Sequence, residues 1–404
     1  MKILHIQKFF YQHGGGSTLF FKLSKLLAGH GHEVAFFSMH SPQNKKSYWS
    51  KFFVSNIDYQ PKNYGRNLRL FFRSLYSSEA RNKIRLLLDE FKPDIAHLHD
   101  IYHHLSPSIL LELSARKIPI VQSLSDYHLI APNYNLFHDG RICEKTKAKK
   151  FYKAVFHRCV KQSIVASTAE ISEKYFHQFT GWGKNLVDLF IVPSGFMRDK
   201  LIEYKLPGGK IFVLPHFVDY RSYKSDIGGN YLLFFGRLSE EKGIKLLINA
   251  VKNLPNIKLY ITGRGPQEAE LKDYLHRYKI SNIRLTGFKE GTALKKLISG
   301  SRFTILPSVW FEVFGLSILE SFASYKPVIG SRIGAIPEII RNNYNGMLFK
   351  PNDQEDLQNK IVRLWNDREL YRRLSLSARR SCRDLYDPER YYRKLMAIYD
   401  LVRR

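Results

Sequence analysis

Apolar positions along the chain follow two periods. Short continuous apolar runs end in glycine or polar residues, as buried parallel strands do, and longer stretches repeat apolar residues every three or four positions, as amphipathic helices do. Ile3-Leu4-His5-Ile6 is the first run; Gly14-Gly15-Gly16-Ser17 and a stripe of Leu19, Leu23, Leu26 and Leu27 follow it, and His32 to Phe37 is the next strand. This opening predicts a strand, glycine turn, helix and strand joined by a right-handed crossover. The runs at 95–98, 118–124, 189–193 and 211–215 continue the rhythm, and residues 216–229 turn polar and glycine-containing. A second series starts at Tyr231–Phe235 and recurs at 258–262, 283–288, 303–306 and 327–329. Tyr391, Tyr392, Leu395, Ile398 and Leu401 form a last helical stripe. The pattern predicts two α/β layered domains, 1–215 and 230–387, with a hinge at 216–229 and a terminal helix over 388–404.

The loop from Pro307 to Gly315 lies between an apolar run and the helical spacing of Leu316, Leu319 and Phe322, so a helix is expected to start near Phe314. Unpaired N–H groups and partial positive charge at such a start favour an anion such as a diphosphate. Glu312 would sit beside that anion, and Glu320 roughly 9 Å further along the axis. Carboxylates bind the paired hydroxyls of a sugar and a ribose, so a nucleotide-sugar suits the loop; two glutamates at this spacing also occur on ordinary solvated helices. The Gly14–Gly16 turn would admit a phosphate, with Ser17 as a helix cap, or is a plain β–α turn. After Gly236, Arg237 offers a rigid fork and Lys242 a point charge for phosphate oxygens, although Glu240 and Glu241 could pair with both. Gly263, Gly265 and Phe288 end two further strands, where backbone groups would read a base. His99-Asp100 and Ser125-Asp126-Tyr127-His128 fall at the carboxyl ends of consecutive strands, the usual ligand side of a parallel sheet.

Composition narrows the class. At 44% hydrophobic and 25% charged the chain is globular, and it has no apolar run of the roughly 18 residues that span a bilayer, so a cytoplasmic protein is expected. Cys143, Cys159 and Cys382 fit neither a disulfide framework nor a zinc site and read as free thiols. Sixty-four basic residues against 36 acidic ones give +28, which calls for a polyanionic neighbour: nucleic acid, an anionic membrane face or phosphorylated ligands. The densest basic stretch holds Lys145, Lys147, Lys149, Lys150, Lys153, Arg158 and Lys161, interleaved with Phe151, Tyr152, Val155 and Phe156. Lys62, Arg66, Arg69 and Arg73 share a second segment with Leu68, Phe71 and Phe72. No nucleic-acid motif accompanies either, so no nucleic-acid partner is expected.

Glu312 and Glu320, with Phe314-Gly315 between them and Pro327-Val328-Ile329 after, resemble the E-x7-E signature of the retaining glycosyltransferases of family 4. The resemblance extends to Gly14–Gly16, to the segment Gly236–Gly243, to Gly263-Arg264-Gly265-Pro266 and to Asn345–Phe349. It implies a GT-B fold: two Rossmann-like domains facing a cleft, with the terminal helix crossing back to the first. On this resemblance the donor contacts are Gly15, Gly16, Gly236, Arg237, Lys242, Gly263, Gly265, Phe288, Glu312, Phe314, Gly315, Leu316 and Glu320. Arg237, Lys242, Glu312 and Asp126 are the catalytic candidates, with no protein base assigned. The acceptor side is His99, Asp100, Ser125, Asp126 and His128. A UDP- or GDP-sugar donor, a glycan or polyprenyl-linked acceptor and no required metal or cofactor are implied, as is peripheral attachment to the inner face of the cytoplasmic membrane. Two positions depart from the pattern: Ser125 stands where members often carry histidine, and Tyr325 where a small residue is usual. A glycan phosphorylase would share the architecture but needs a pyridoxal phosphate lysine that is not identifiable here, and a non-catalytic binding protein is the remaining alternative.

Overall fold

A computed structural model describes residues 1–403 apart from 13, 58–63, 148, 161 and 224–226, and leaves the side chains of 64–66 undescribed. Lys62, the Arg66 side chain, Lys161 and positions 224–226 of the expected hinge thus lie outside the described residues. The chain builds two six-stranded sheets in which every pairing is parallel. The first contains β1 (Lys2–Phe9), β2 (Glu33–Met39), β3 (Ile95–Leu98) and β4 (Ile120–Ser123), then β7 (Leu189–Val192) and β8 (Ile211–Val213). A separate hairpin is formed by β5 (Phe137–His138) and β6 (Arg141–Ile142). The second sheet holds β9 (Tyr231–Phe235), β10 (Lys258–Thr262), β11 (Ile283–Gly287), β12 (Phe303–Leu306), β13 (Val328–Ser331) and β14 (Gly346–Phe349). Helices cover both faces of each sheet, which is why strands such as β3, β7 and β12 are buried along their whole length. The arrangement is that of a GT-B protein.

Strand order decides where a ligand can sit. The first sheet runs β2-β1-β3-β4-β7-β8, so the chain reverses direction between β1 and β3; the second runs β11-β10-β9-β12-β13-β14 and reverses between β9 and β12. At such a reversal the following loops diverge and leave a crevice at the strands' carboxyl ends. The Gly14–Gly16 turn and Asp100 follow β1 and β3, whereas Lys242 and Glu312 follow β9 and β12.

The terminal Pro388–Arg403 helix returns to the first sheet. Its buried Tyr391, Leu395, Ile398 and Tyr399 join Ile3, Leu19 and Leu23, and the Tyr399 hydroxyl meets His97 Nδ1 at 2.6 Å. Each such buried side chain contributes about 1.5–3 kcal/mol. The domains also touch across the cleft. Ser194 Oγ donates to the Val313 carbonyl (2.7 Å), and the Glu338 carboxylate accepts the N–H groups of Gly195 (2.9 Å) and Phe196 (2.5 Å), at the start of the Gly195–Glu203 helix. Val309 and Trp310, in the loop after β12, pack into the core of the first domain.

Candidate active site

The loop between β12 and the Leu316–Ala323 helix carries the centre of the site. Gly315 precedes the helix at φ 102°, in the left-handed region, so regular helix begins at Leu316, two residues later than the apolar spacing suggests. Ile318, Leu319 and Phe322 bury one face of that helix. Glu312 is only 3% exposed, and its Oε1 receives Lys242 Nζ at 2.5 Å and Ser308 Oγ at 2.7 Å. Burial by itself pushes the Glu312 carboxyl up, but the Lys242 ammonium and the hydrogen bonds outweigh it and hold the group below the ordinary carboxylate range. Two glycines make this contact possible. Gly243, at φ 67°, would bring a Cβ to 2.0 Å from the Pro307 carbonyl oxygen, so the loops after β9 and β12 interlock only without a side chain there. Gly334, at φ 58°, would bring one to 2.5 Å from Glu312 N, and Ala335 N–H holds the Glu312 carbonyl at 2.8 Å.

The other donor candidates are distributed around this pair. Glu320 accepts from Tyr223 (3.2 Å) and faces Lys22 Nζ of the first domain at 3.6 Å. Arg237 is exposed and has no ion-pair partner among the described residues. Gly263 and Gly265 have a packing reason: their Cβ atoms would lie 1.8 Å from the Gly236 carbonyl oxygen and 2.3 Å from that of Leu238. Phe288 is exposed beneath the Arg264 guanidinium, 4.4 Å from its ring. Phe314 turns away into the second core against His216, with ring centroids 4.8 Å apart. Across the cleft, a Cβ on Gly15 would stand 3.3 Å from Leu316 Cδ1.

On the first domain, Gly14 N–H donates to Ser17 Oγ (3.1 Å), so Ser17 braces the first turn from inside the helix that starts at Gly15. A Cβ on Gly16 would meet Asp100 Oδ2 at 3.2 Å and Ser125 Oγ at 3.4 Å. Ser125 Oγ donates to Asp100 (2.7 Å), and the Tyr102 hydroxyl lies 3.0 Å from Asp100 and 2.5 Å from Asp126. Burial and the neighbouring Asp100 push the Asp126 carboxyl up to about 6, against the pull of Lys8, Tyr102 and the His128 N–H. Asp100, Ser125 and Asp126 therefore form one linked group with Tyr102. The two histidines differ from their expected place on the cleft wall. His97 in β3 and His99 just past its end point the same way, two residues apart, into the buried interior: His99 stacks on His97 at 4.5 Å and meets Phe20 at 5.2 Å. His128 is buried against the Tyr102 ring at 4.0 Å. Burial lowers both, His99 to about 4, so each is neutral.

Gly334, Tyr223 and Lys22 were not legible as site residues, because each acquires its role from a partner far away in the chain; Ser308 and Tyr102 were missed although Glu312 and Asp100 lie within four residues of them, which was the one signal that could have found them. Among the described residues, two groups bring metal-type ligand atoms within 4.8 Å of one another: His5 with His97 and His99, and His103 with Glu170 and Glu173. Neither includes a donor-loop residue.

Residues 13–221 match the family model described as Glycosyltransferase Family 4, and residues 219–381 that of Glycosyl transferases group 1. The sequence is 24% identical over 399 residues to the O-antigen chain mannosyltransferase C of Escherichia coli, which covers 96% of this chain and 94% of that one. It is 34% identical over 146 residues to an uncharacterized glycosyltransferase of Methanocaldococcus jannaschii, 36% of this chain and 41% of the relative, so the chain spans less than half of that protein's length. Two solved structures share the fold: an Anabaena protein, HepE, in complex with UDP and glucose (TM-score 0.71, 16% identity, 99% of both chains), and sucrose-phosphate synthase from Thermosynechococcus elongatus (TM-score 0.72, 18% identity, 99% of this chain and 98% of that one).

Proposed function

The chain belongs to Glycosyltransferase Family 4, and on that premise we propose that it is a retaining enzyme that moves a sugar from a nucleoside-diphosphate sugar onto a glycan or lipid-linked acceptor. One observation carries the reading: the Glu312–Lys242 pair lies at the switch point of the second sheet, in the loop leading to the helix whose Leu316 abuts Gly15 at the switch point of the first. In this reading the sugar hydroxyls engage Glu312, freeing Lys242 to join Arg237 against the diphosphate as it departs. The first turn of the Leu316–Ala323 helix adds its N–H groups to the same charge. Glu320, held by Tyr223, takes the ribose in exchange for Lys22. The acceptor lies over Asp100, Ser125 and Asp126, and its proton passes to the leaving phosphate on the same face. These cations do the work of a divalent ion, so transfer should persist in a metal chelator.

A uridine diphosphate sugar is the first donor to test, because the HepE structure holds UDP and glucose, and a polysaccharide acceptor is suggested by the O-antigen mannosyltransferase. Glu312→Gln and Lys242→Ala, each folded, should lose about 100-fold or more in turnover, the usual loss of one preorganised charged contact. Wild-type rates in both variants would overturn the donor-site assignment, and product with inverted anomeric configuration would overturn the retaining mechanism.

A further inference from the structure

The Ile164–Thr180 helix is inside out. Its exposed residues are Ile164, Val165, Thr168, Ser172, Tyr175 and Phe179, all uncharged, with Val165 77% and Phe179 92% exposed. Its charged residues point inward: Glu173 is 5% exposed, and Glu170 and Lys174 form a largely covered pair. A helix facing water has the opposite arrangement. The Tyr64–Leu75 helix runs beside it, joined where Ser74 reaches Glu173 and where the Tyr76 and Trp182 rings meet at 6.2 Å. Its own exposed stripe is Leu68 and Phe72, continued by Tyr76. Next to the Ile164–Thr180 helix lies the basic stretch, in which Phe151 is core while Tyr152 and Phe156 are exposed, Phe156 at 79%. Lys147 is paired with Glu203, but Lys149, Lys150, Lys153 and Arg158 have no carboxylate partner among the described residues.

We propose that these two helix faces, with the cations of 145–158 beside them, dock onto an anionic phospholipid membrane. Single protruding rings suit a fluid acyl boundary, which needs no complementary pocket, and unpaired lysines suit the headgroup charge. The exposed face carries none of the donor or acceptor candidates, although Lys174 on the inner face of the same helix donates to the His128 carbonyl; the inference extends the peripheral attachment implied by the resemblance and does not depend on the transfer reaction.

The test is co-sedimentation of the full chain with vesicles of phosphatidylcholine alone and mixed with phosphatidylglycerol. Binding should require the anionic lipid and fall away in 1 M salt, where the Debye length is about 3 Å. Lys149→Gln, Lys150→Gln and Lys153→Gln should each weaken it about fivefold, and Phe156→Ser and Phe179→Ser about tenfold each. Because four of these side chains are exposed and Lys153 is half-buried without a carboxylate partner among the described residues, melting temperatures should not fall. Phe179→Trp should be quenched by lipids carrying brominated acyl chains. Equal binding to neutral vesicles, or an unquenched Trp, overturns the proposal. So does concentration-dependent self-association abolished by Phe179→Ser, which would make the face a protein interface. Transfer to a soluble acceptor analogue, measured in the same variants, reports on the catalytic reading alone.

Discussion

Glu312 shows how a single side chain acquires its properties from others. A carboxylate that is 3% exposed would ordinarily be driven toward its neutral form, yet Lys242 and Ser308 keep it ionised and fixed in one orientation. Its backbone is fixed too, by the turn at Gly334-Ala335. Gly334→Ala would combine a left-handed φ of 58° with a Cβ 2.5 Å from Glu312 N, so the Glu312 peptide must move. Turnover should fall at least tenfold while the donor-independent fold, followed by circular dichroism, persists; unchanged kinetics would show that the position of Glu312 does not matter. Tyr325 is the reverse case. It occupies φ 59°, a conformation that glycine adopts freely, and the small residue usual there in the family has that physical reason; here the tyrosine ring sits under the Arg379 guanidinium at 5.1 Å.

At the scale of elements, the glycine turns and the inside-out helix follow different rules. The turns obey local sterics: Gly243 and Gly315 lie where the chain must adopt positive φ, and their positions in sequence announced a strand-to-helix junction. The Ile164–Thr180 helix obeys its surroundings. Burial first, then the adjacent Glu170, pushes the Glu173 carboxyl up from 4.5 to about 8, with Lys174 opposing. A folded value above the unfolded one means that the native state binds the proton more tightly. Stability is therefore full below about pH 4.5 for this group and is lost as pH rises toward 8. Glu173→Gln should raise the melting temperature by several degrees at pH 8 and little at pH 5. An equal gain at both pH values would show that Glu173 is not protonated in the native state.

Across the whole molecule, the two domains share the packing of Val309, Trp310 and the terminal helix against the first domain, and polar ties add to it: Glu338 on the Gly195–Glu203 helix start, Ser194 on Val313, and Lys22 on Glu320. The Lys22–Glu320 pair is partly solvated and contributes at most about 1 kcal/mol. Glu338 accepts two N–H groups and is worth more, about 1–2 kcal/mol as a helix cap. Glu338→Ala should therefore expand the unligated protein in small-angle scattering and raise KM for the donor more than it lowers kcat, with saturating donor restoring the compact form. Scattering identical to wild type with and without donor would show that closure does not depend on this tie. What the sequence by itself determined is the alternation of strand and helix, the terminal helical stripe and the two loops at the strand ends, since all of these follow from near-neighbour periodicity and from glycine's tolerance of positive φ. Only tertiary structure decided which cation meets Glu312, that His99 and His128 lie under the cleft instead of along it, and that one helix hides its charges and exposes its rings. Lys242 and Glu312 are 70 residues apart and Gly195 and Glu338 are 143 apart; pairing at that range depends on sheet order and domain packing, which no local pattern encodes.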